Sequence, residues 1–282
     1  MLVNEAIAFA EQELKRSNNL NSRLDSEILV SHLINIPRES IYSKLKENLP
    51  SNKTEELQNL VSRRVKKEPI AYILNNKEFW STNFYVDRSV LIPRPETEVL
   101  IDLILFQINN KNNYFNILDI GTGSGCILVS LLKELTKAKG IGIDKSSKAI
   151  AVAKKNSTSQ HVDSRALFKN INLENIKFDK KFDLIVSNPP YLTDVSMKNL
   201  NSDIKLYEPK IALQGGVQGI DFLYKIIVLA SKILKINGLL ALEIGDNQFH
   251  ILAKYLKIKR FKILDKYILI NKQVRCLLAT KL

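Results

Sequence analysis

Over residues 1 to about 68 the apolar positions recur every three or four residues: Leu2, Ala6, Ile7, Ala10 and Leu14, then Leu24, Ile28, Leu29 and Leu33, then Leu57, Leu60, Val61 and Val65. That is the period of helices with one buried face, and it predicts a small helical domain. Ser22 or Asp25 stands where the second helix would be capped, and Ser51 or Asn52 before the third, whose first turn carries Glu55 and Glu56. From Glu78 to Ile92 aromatic and β-branched residues take over, which predicts a hairpin turning at Ser81-Thr82-Asn83. From Glu96 onward short apolar runs alternate with helix-length stretches. The runs are Phe115 to Ile120 and Gly140 to Ile143, then segments centred on Leu167, Ile185, Leu240, Ile263 and Leu277. This alternation predicts an α/β architecture with a doubly wound, mostly parallel seven-stranded sheet. The expected division is a helical domain over 1–70, a linker with a hairpin over 71–95, and the α/β domain over 96–282.

Composition narrows this little. A chain of 282 residues with 45% hydrophobic residues can form a packed core in one large domain or two moderate ones. Glu5, Glu11 and Glu13 interrupt the N-terminal apolar residues, which argues against a signal peptide, and no run approaches the length of a membrane span. Cys126 and Cys276 make neither a metal nor a redox spacing, so no metal is expected and a cytoplasmic location fits. Cys126 is read as a small packing residue, and His32, His161 and His250, isolated from one another, are given no role. The net charge of +13 raises the question of a nucleic-acid partner. Its distribution argues otherwise: residues 1–68 carry eleven basic and ten acidic side chains, while residues 251–282 carry nine basic ones and only Asp265. A nearly neutral N-terminal region is a poor reader of nucleic acid. The Lys-rich tail is read as a solvated surface.

Chemistry concentrates at Ser187-Asn188-Pro189-Pro190-Tyr191, directly after the apolar run Phe182 to Val186. The nitrogen of an amide or of an exocyclic base amine shares its lone pair with a π system, so it needs positioning more than deprotonation. The Asn188 side-chain carbonyl and the Pro189 main-chain carbonyl can each accept one N–H of such a group and turn its lone pair toward an electrophile. Pro189 and Pro190 add rigidity and no competing N–H. Tyr191 offers a flat ring that can stack on the planar group. Asn188, Pro189, Pro190 and Tyr191 are therefore the candidate catalytic residues, for an amide or a base alike.

A second motif follows the strand-like run ending at Ile120: Gly121-Thr122-Gly123-Ser124-Gly125, then the helix-like Cys126 to Lys137. Glycines admit a ligand close to the backbone, and a helix N-terminus favours negative charge such as a carboxylate. The dinucleotide spacing fails, because the sixth position from Gly121 is Cys126 and from Gly123 is Leu128. A nicotinamide oxidoreductase is disfavoured accordingly. Asp144 closes the next strand, where an acid can accept from both hydroxyls of a ribose.

These residues resemble a known family. Asp119 with the three glycines and Asp144 look like the S-adenosylmethionine site of class I, Rossmann-like methyltransferases, and Asn188 to Tyr191 like that of their amino-methylating branch. Arg23 to Leu29, Glu68 to Leu74 with Glu78-Phe79-Trp80, and Leu91 to Glu98 resemble the peptide chain release factor glutamine methyltransferases. The resemblance runs over nearly the whole chain. It implies S-adenosylmethionine as cofactor and methylation of N5 of the glutamine in the Gly-Gly-Gln motif of bacterial class 1 release factors. It also implies a helical N-terminal domain that grips the factor, an antiparallel sheet edge formed by Phe261 to Leu264 and Val274 to Leu278, and a monomer with no membrane attachment. By the same resemblance the cofactor is bordered by Asp119, Gly121, Thr122, Gly123, Ser124, Gly125, Asp144, Asn172, Leu173 and Asn188. Asn172 stands where relatives commonly carry Asp, with Asn170 as the alternative register. Glu208-Pro209 and Glu243-Ile244-Gly245 also match the family pattern, whereas Lys266 to Gln273 lacks the Asp and Gly usual before Arg275. The expected reaction is direct in-line transfer without a covalent enzyme intermediate, a metal or a strong base. The alternatives are an amino-methyltransferase for adenine or cytosine in DNA or RNA, which takes a flipped NH2 of the same kind, a methyltransferase for another protein or amide, and a non-catalytic binding module.

Overall fold

The helical period of the first residues forms α1 (Val3–Arg16), α2 (Ser22–Leu33), α3 (Lys53–Val65) and the single turn α4 (Ile70–Ile73), with a 3-10 helix at Arg38–Lys44. They are seen in a computed structural model that describes residues 1–176, 178 and 181–282. Two units are distinct, Met1–Asn75 with Asn201–Tyr207, and Asn76–Leu200 with Glu208–Leu282. In the first unit Ala6, Ile7, Ala10 and Leu14 of α1 pack with Leu29 and Val30 of α2 and Leu57 and Val61 of α3. The face of α2 differs from the one its apolar residues predict. Leu24 is 42% exposed, whereas Asp25 and Glu27 are buried. Their partners explain it: Glu27 accepts from Arg23 at 2.7 Å, Tyr42 at 2.8 Å and Arg38 at 3.2 Å, and Asp25 accepts from Arg64 and Asn19, each at 2.7 Å. A buried carboxylate is tolerated when its lone pairs are filled in this way. The expected caps are only partly found. Ser22 lies inside α2, and Asn52 occupies the cap of α3 without lending its side chain.

The second unit opens with the hairpin β1 (Lys77–Phe79) and β2 (Thr82–Phe84), whose two-residue turn is Trp80-Ser81 and not Ser81-Thr82-Asn83. Both turn residues have positive φ, 52° and 51°, as a tight hairpin twisting with its strands requires. Trp80 is held there by donation from its backbone N–H to Glu98 and from its indole N–H to Glu134, at 3.0 and 2.9 Å. Then follow α5 (Pro95–Gln107), β3 (Asn116–Ile120), α6 (Cys126–Glu134), β4 (Lys139–Asp144), α7 (Ser147–Ser159), β5 (Ala166–Asn170), β6 (Phe182–Ser187) and α8 (Asp194–Lys198). After α9 (Ser202–Tyr207), which belongs to the first unit, come α10 (Asp221–Ile233), β7 (Leu234–Glu243), α11 (Phe249–Ile258), β8 (Phe261–Ile268) and β9 (Val274–Lys281).

The sheet has seven strands in the order β5-β4-β3-β6-β7-β9-β8. β5 through β7 are parallel, and β9 runs antiparallel to both β7 and β8, as the sequence leads one to expect. Central strands buried on both faces need apolar residues at successive positions. Ile117 and Leu184 pack on one side, under Leu100, Ile104, Leu128 and Leu132 of α5 and α6; Leu118 and Ile185 pack on the other, under Leu223, Ile226 and Ile227 of α10 and Leu252 of α11. The chain enters at β3, winds outward to β5, then returns to β6 on the opposite side. The crevice at this reversal, beyond the carboxyl ends of β3, β4 and β6, is where open α/β sheets bind ligands.

Candidate active site

A cavity fills that crevice. One wall comes from Ile120 to Ser124, Cys126, and Ile143 to Ser146; the other from Ser187, Asn188, Pro189 and Pro190 with Thr97; Ser89 to Leu91 and Pro93 close one end, and Ile171 to Leu173 with Phe222 another. The first wall is shaped by backbone. Gly121 has φ of 72°, and a side chain there would meet no other atom of the protein within 4 Å, so the turn leaves open space for a ligand. Asp144 ties the turn to the end of β4: its Oδ2 accepts the Gly123 N–H at 3.0 Å and its Oδ1 the Ser146 N–H at 2.9 Å. Burial pushes the Asp144 carboxyl above its ordinary value. The buried Asn156 braces the same turn from behind, donating to the Ser124 carbonyl at 2.8 Å and pairing with both backbone groups of Tyr85.

Asp119 lies beneath the turn, fully buried. Thr122 donates to its Oδ2 at 2.6 Å, while Oδ1 has no hydrogen bond of proper geometry. Burial and then the nearby Asp144 push its carboxyl up to about 7, the Thr122 hydroxyl and the Leu128 N–H opposing only in part. Two acids this close together, one of them with an unfilled lone pair, complement a positively charged ligand bearing hydroxyl groups. These acidic acceptors therefore fit the sulfonium cofactor expected from the sequence.

The second wall is held by side chains. Asn188 Nδ2 donates to Thr97 Oγ1 at 3.1 Å, Thr97 donates to Glu243 Oε2 at 2.6 Å, and the Tyr191 hydroxyl donates to Glu243 Oε1 at 3.0 Å. Burial raises the Glu243 carboxyl, and burial next to Glu243 raises the Tyr191 phenol. Arg275 lies 5.3 Å over the Tyr191 ring and donates to the Ile244 carbonyl and to Asp246. Behind the tetrad, Gln248 Nε2 donates to the carbonyls of Tyr191 and Gly219. Gly219, at φ 69°, passes so close that a Cβ there would sit 2.2 Å from the Tyr191 carbonyl oxygen.

A glycine turn and an Asn-Pro-Pro segment facing one cavity, with Tyr191 just behind, invite comparison with known proteins. The sequence model of the PrmC N-terminal domain matches residues 5–74, and that of the methyltransferase small domain matches residues 97–205. The release factor glutamine methyltransferase of Clostridium acetobutylicum is 35% identical over 263 residues, 93% of this chain and 92% of its own. The chain belongs to the release factor glutamine methyltransferase family. Another member, from Geobacter sulfurreducens, is 39% identical over 81% of this chain and 78% of its own. A bifunctional methyltransferase of Rickettsia prowazekii is 40% identical, and the match spans 47% of that longer protein. Among solved structures, the ribosomal protein L11 methylase of Lactobacillus delbrueckii superposes with a TM-score of 0.51 over 68% of this chain and 81% of its own, at 18% identity. A T. thermophilus 16S rRNA methyltransferase, solved with AdoMet and guanosine, gives 0.53 over 73% of this chain and 50% of its own, at 15% identity. Both share the sheet architecture.

Within this family member the sequence-predicted residues fall in three groups. Gly121, Thr122, Gly123, Ser124, Asp144, Asn172, Leu173, Asn188, Pro189 and Pro190 line the cavity. Asp119 and Gly125 stand behind the lining as the floor and hinge of the turn. Tyr191 also lies off it, because its hydroxyl finds the buried Glu243 instead. Of the two registers for the third strand, Asn172 reaches the cavity, whereas Asn170 is exposed and bonds the Asp144 carbonyl at 3.0 Å. Asn172 Oδ1 also accepts the Glu174 N–H at 3.3 Å, closing a short turn. Glu208, matched by pattern alone, proves to be an anchor: it accepts from the Ile92 N–H at 3.3 Å and from Arg94 at 2.5 Å, fixing the segment that closes the cavity. Cys126 lines the cavity, but burial pushes its thiol up to about 12, which keeps it protonated and unreactive. Thr97, Asn156, Gly219 and Gln248 were not singled out in the sequence. Thr97 lies inside the Leu91 to Glu98 segment, and Gly215-Gly216 with Gly219 is a glycine cluster where two backbones cross, so both carried a signal.

Proposed function

We propose that the cavity binds S-adenosylmethionine and that the protein methylates N5 of the glutamine in the Gly-Gly-Gln motif of bacterial class 1 peptide chain release factors. The observation that carries this reading is the joint lining of one cavity by the glycine turn and by Asn188, Pro189 and Pro190, in a chain of this family. When bound, the cofactor supplies an electrophilic methyl group on a sulfonium centre. Asp144 offers carboxylate lone pairs to the ribose hydroxyls, and Asp119 favours positive charge beside the turn. Asn172 and Leu173 border the adenine end.

On the opposite wall, Asn188 Oδ1 and the Pro189 carbonyl accept the two N–H groups of the glutamine amide. This turns the nitrogen lone pair toward the methyl group and stabilises the positive charge that grows on nitrogen. Positioning of this kind contributes roughly 7 to 11 kcal/mol to lowering a barrier, enough that no strong base is required. The nitrogen becomes acidic as the new bond forms, and its proton can pass to water. Tyr191 holds the end of the tetrad through Glu243 and Gln248. The helical unit of residues 1–75 is the surface for the release factor, and the protein works as a cytoplasmic monomer.

The test supplies methyl-labelled S-adenosylmethionine with a release factor, the same factor with its Gly-Gly-Gln glutamine replaced, and nucleic acid. Label in the intact factor alone is the expected result. Label in nucleic acid, or undiminished label in the substituted factor, overturns the reading.

A further inference from the structure

The Asn188 amide heads a buried chain of hydrogen bonds whose direction is forced by chemistry. Thr97 and Glu243 are 2% and 1% exposed. Each oxygen of Glu243 is met by one hydroxyl that donates to it: the single hydrogen of Thr97 goes to Oε2, 2.6 Å away, and that of Tyr191 to Oε1, 3.0 Å away. Thr97 Oγ1 is then an acceptor toward its remaining neighbour at 3.1 Å, and only the NH2 end of Asn188 can serve as donor. The amide carbonyl is consequently the end left for the cavity.

We propose that Thr97 and Glu243 are positioning residues that set the amide orientation of Asn188 and so decide that this wall presents an acceptor to the incoming NH2 group. The inference rests on the proposed methylation of an amide and deepens it. With the amide turned by half a rotation, a donor would face a donor. Glu243→Gln is the informative change: the new NH2 can donate to Thr97, which releases the Thr97 hydrogen toward Asn188 and favours the wrong orientation. Glu243 thus acts at two removes, through Thr97 on Asn188 and directly on Tyr191.

The experiment uses the full chain, a release factor and S-adenosylmethionine, with variants Thr97→Val, Thr97→Ser and Glu243→Gln. Thr97→Val and Glu243→Gln are expected to lower kcat roughly 10- to 100-fold. KM for both substrates should stay within about twofold, and Thr97→Ser should keep kcat within about threefold of wild type. A second readout needs no acceptor. Exchange of the isotope-labelled Asn188 side-chain NH2 hydrogens should be at least about tenfold faster in Thr97→Val than in wild type or Thr97→Ser. Wild-type kcat in Thr97→Val, a loss confined to KM, or Thr97→Ser as impaired as Thr97→Val overturns the relay. A wild-type protein that methylates no release factor, while Asn188 exchange still depends on the Thr97 hydroxyl, overturns the functional reading and supports the relay.

Discussion

The two walls of the cavity are built by opposite means. The glycine turn is nearly contiguous: Asp119 to Gly125 form it, and Asp144 closes it from the adjacent parallel strand through the Gly123 N–H. The tetrad wall is assembled from afar, with Thr97 bonded to Asn188 and to Glu243, 91 and 146 residues away in sequence. In the proposed function one wall uses main-chain shape and buried carboxylates, which would act on a bound ligand at all times. The other would aim side-chain and carbonyl acceptors at a group that changes charge during reaction. Altering the first should move affinity, and altering the second should move turnover.

The sharpest way to break this contrast is Asn188→Ala. Loss of one aimed acceptor should lower kcat about 10²- to 10³-fold while the dissociation constant for S-adenosylmethionine stays within about threefold. A variant that loses cofactor affinity in proportion to turnover would show that the walls are not separable. Asp144→Ala should do the reverse, weakening cofactor binding by roughly 10- to 100-fold, the scale of hydrogen bonds to a charged group. Calorimetry that finds unchanged affinity would remove Asp144 from the site.

A smaller and sign-specific effect comes from Asp119. With its carboxyl pushed up to about 7, it is mostly protonated at pH 6 in the ligand-free protein. A cationic ligand favours the carboxylate, so binding should expel a proton and affinity should rise about tenfold between pH 6 and 8. Stability runs the other way. The unfolded carboxyl titrates near 3.9, so the folded state binds the extra proton between about pH 4 and 7, and the ligand-free protein loses stability as pH rises through that window. Asp119→Asn should flatten both slopes. Titration calorimetry in buffers of different ionisation heat reads the proton release, and unfolding midpoints across the same pH range read the stability.

The contrast between walls also explains what was legible in the sequence. The central strands announced themselves because strands buried on both faces need apolar runs, and the glycine turn because its residues are contiguous from Asp119 to Gly125. The tetrad showed its acceptors but not what orients them: nothing near Asn188 in sequence points to Thr97 or Glu243. The helical unit is legible only in part at α2. Of the predicted face Leu24, Ile28, Leu29 and Leu33, Leu29 and Leu33 are buried and Leu24 is not, while Glu27 is buried by partners as distant as Arg38 and Tyr42. The hairpin turn is the two residues Trp80-Ser81 and not Ser81-Thr82-Asn83, and the side chains that bond Trp80, Glu98 and Glu134, lie far along the chain where no local rule reads them. Local chemistry is written locally, and buried polar networks are written in the topology.

Cys126 tests where the glycine wall ends. It lines the cavity at the first position of α6, where a thiol beside a helix N-terminus is often activated, but here burial pushes it up to about 12. At that value virtually no thiolate exists at neutral pH, and the wall acts through backbone shape, to which Cys126 contributes only a small apolar volume. Cys126→Ala should therefore change both cofactor affinity and kcat by no more than about twofold, at the cost of roughly 1 kcal/mol of stability for the atom removed from a packed site. A thiol-directed alkylating reagent should correspondingly leave the native protein active. Rapid inactivation by the reagent, prevented by cofactor, would place an ionised thiol in the wall and assign part of its affinity to a side chain.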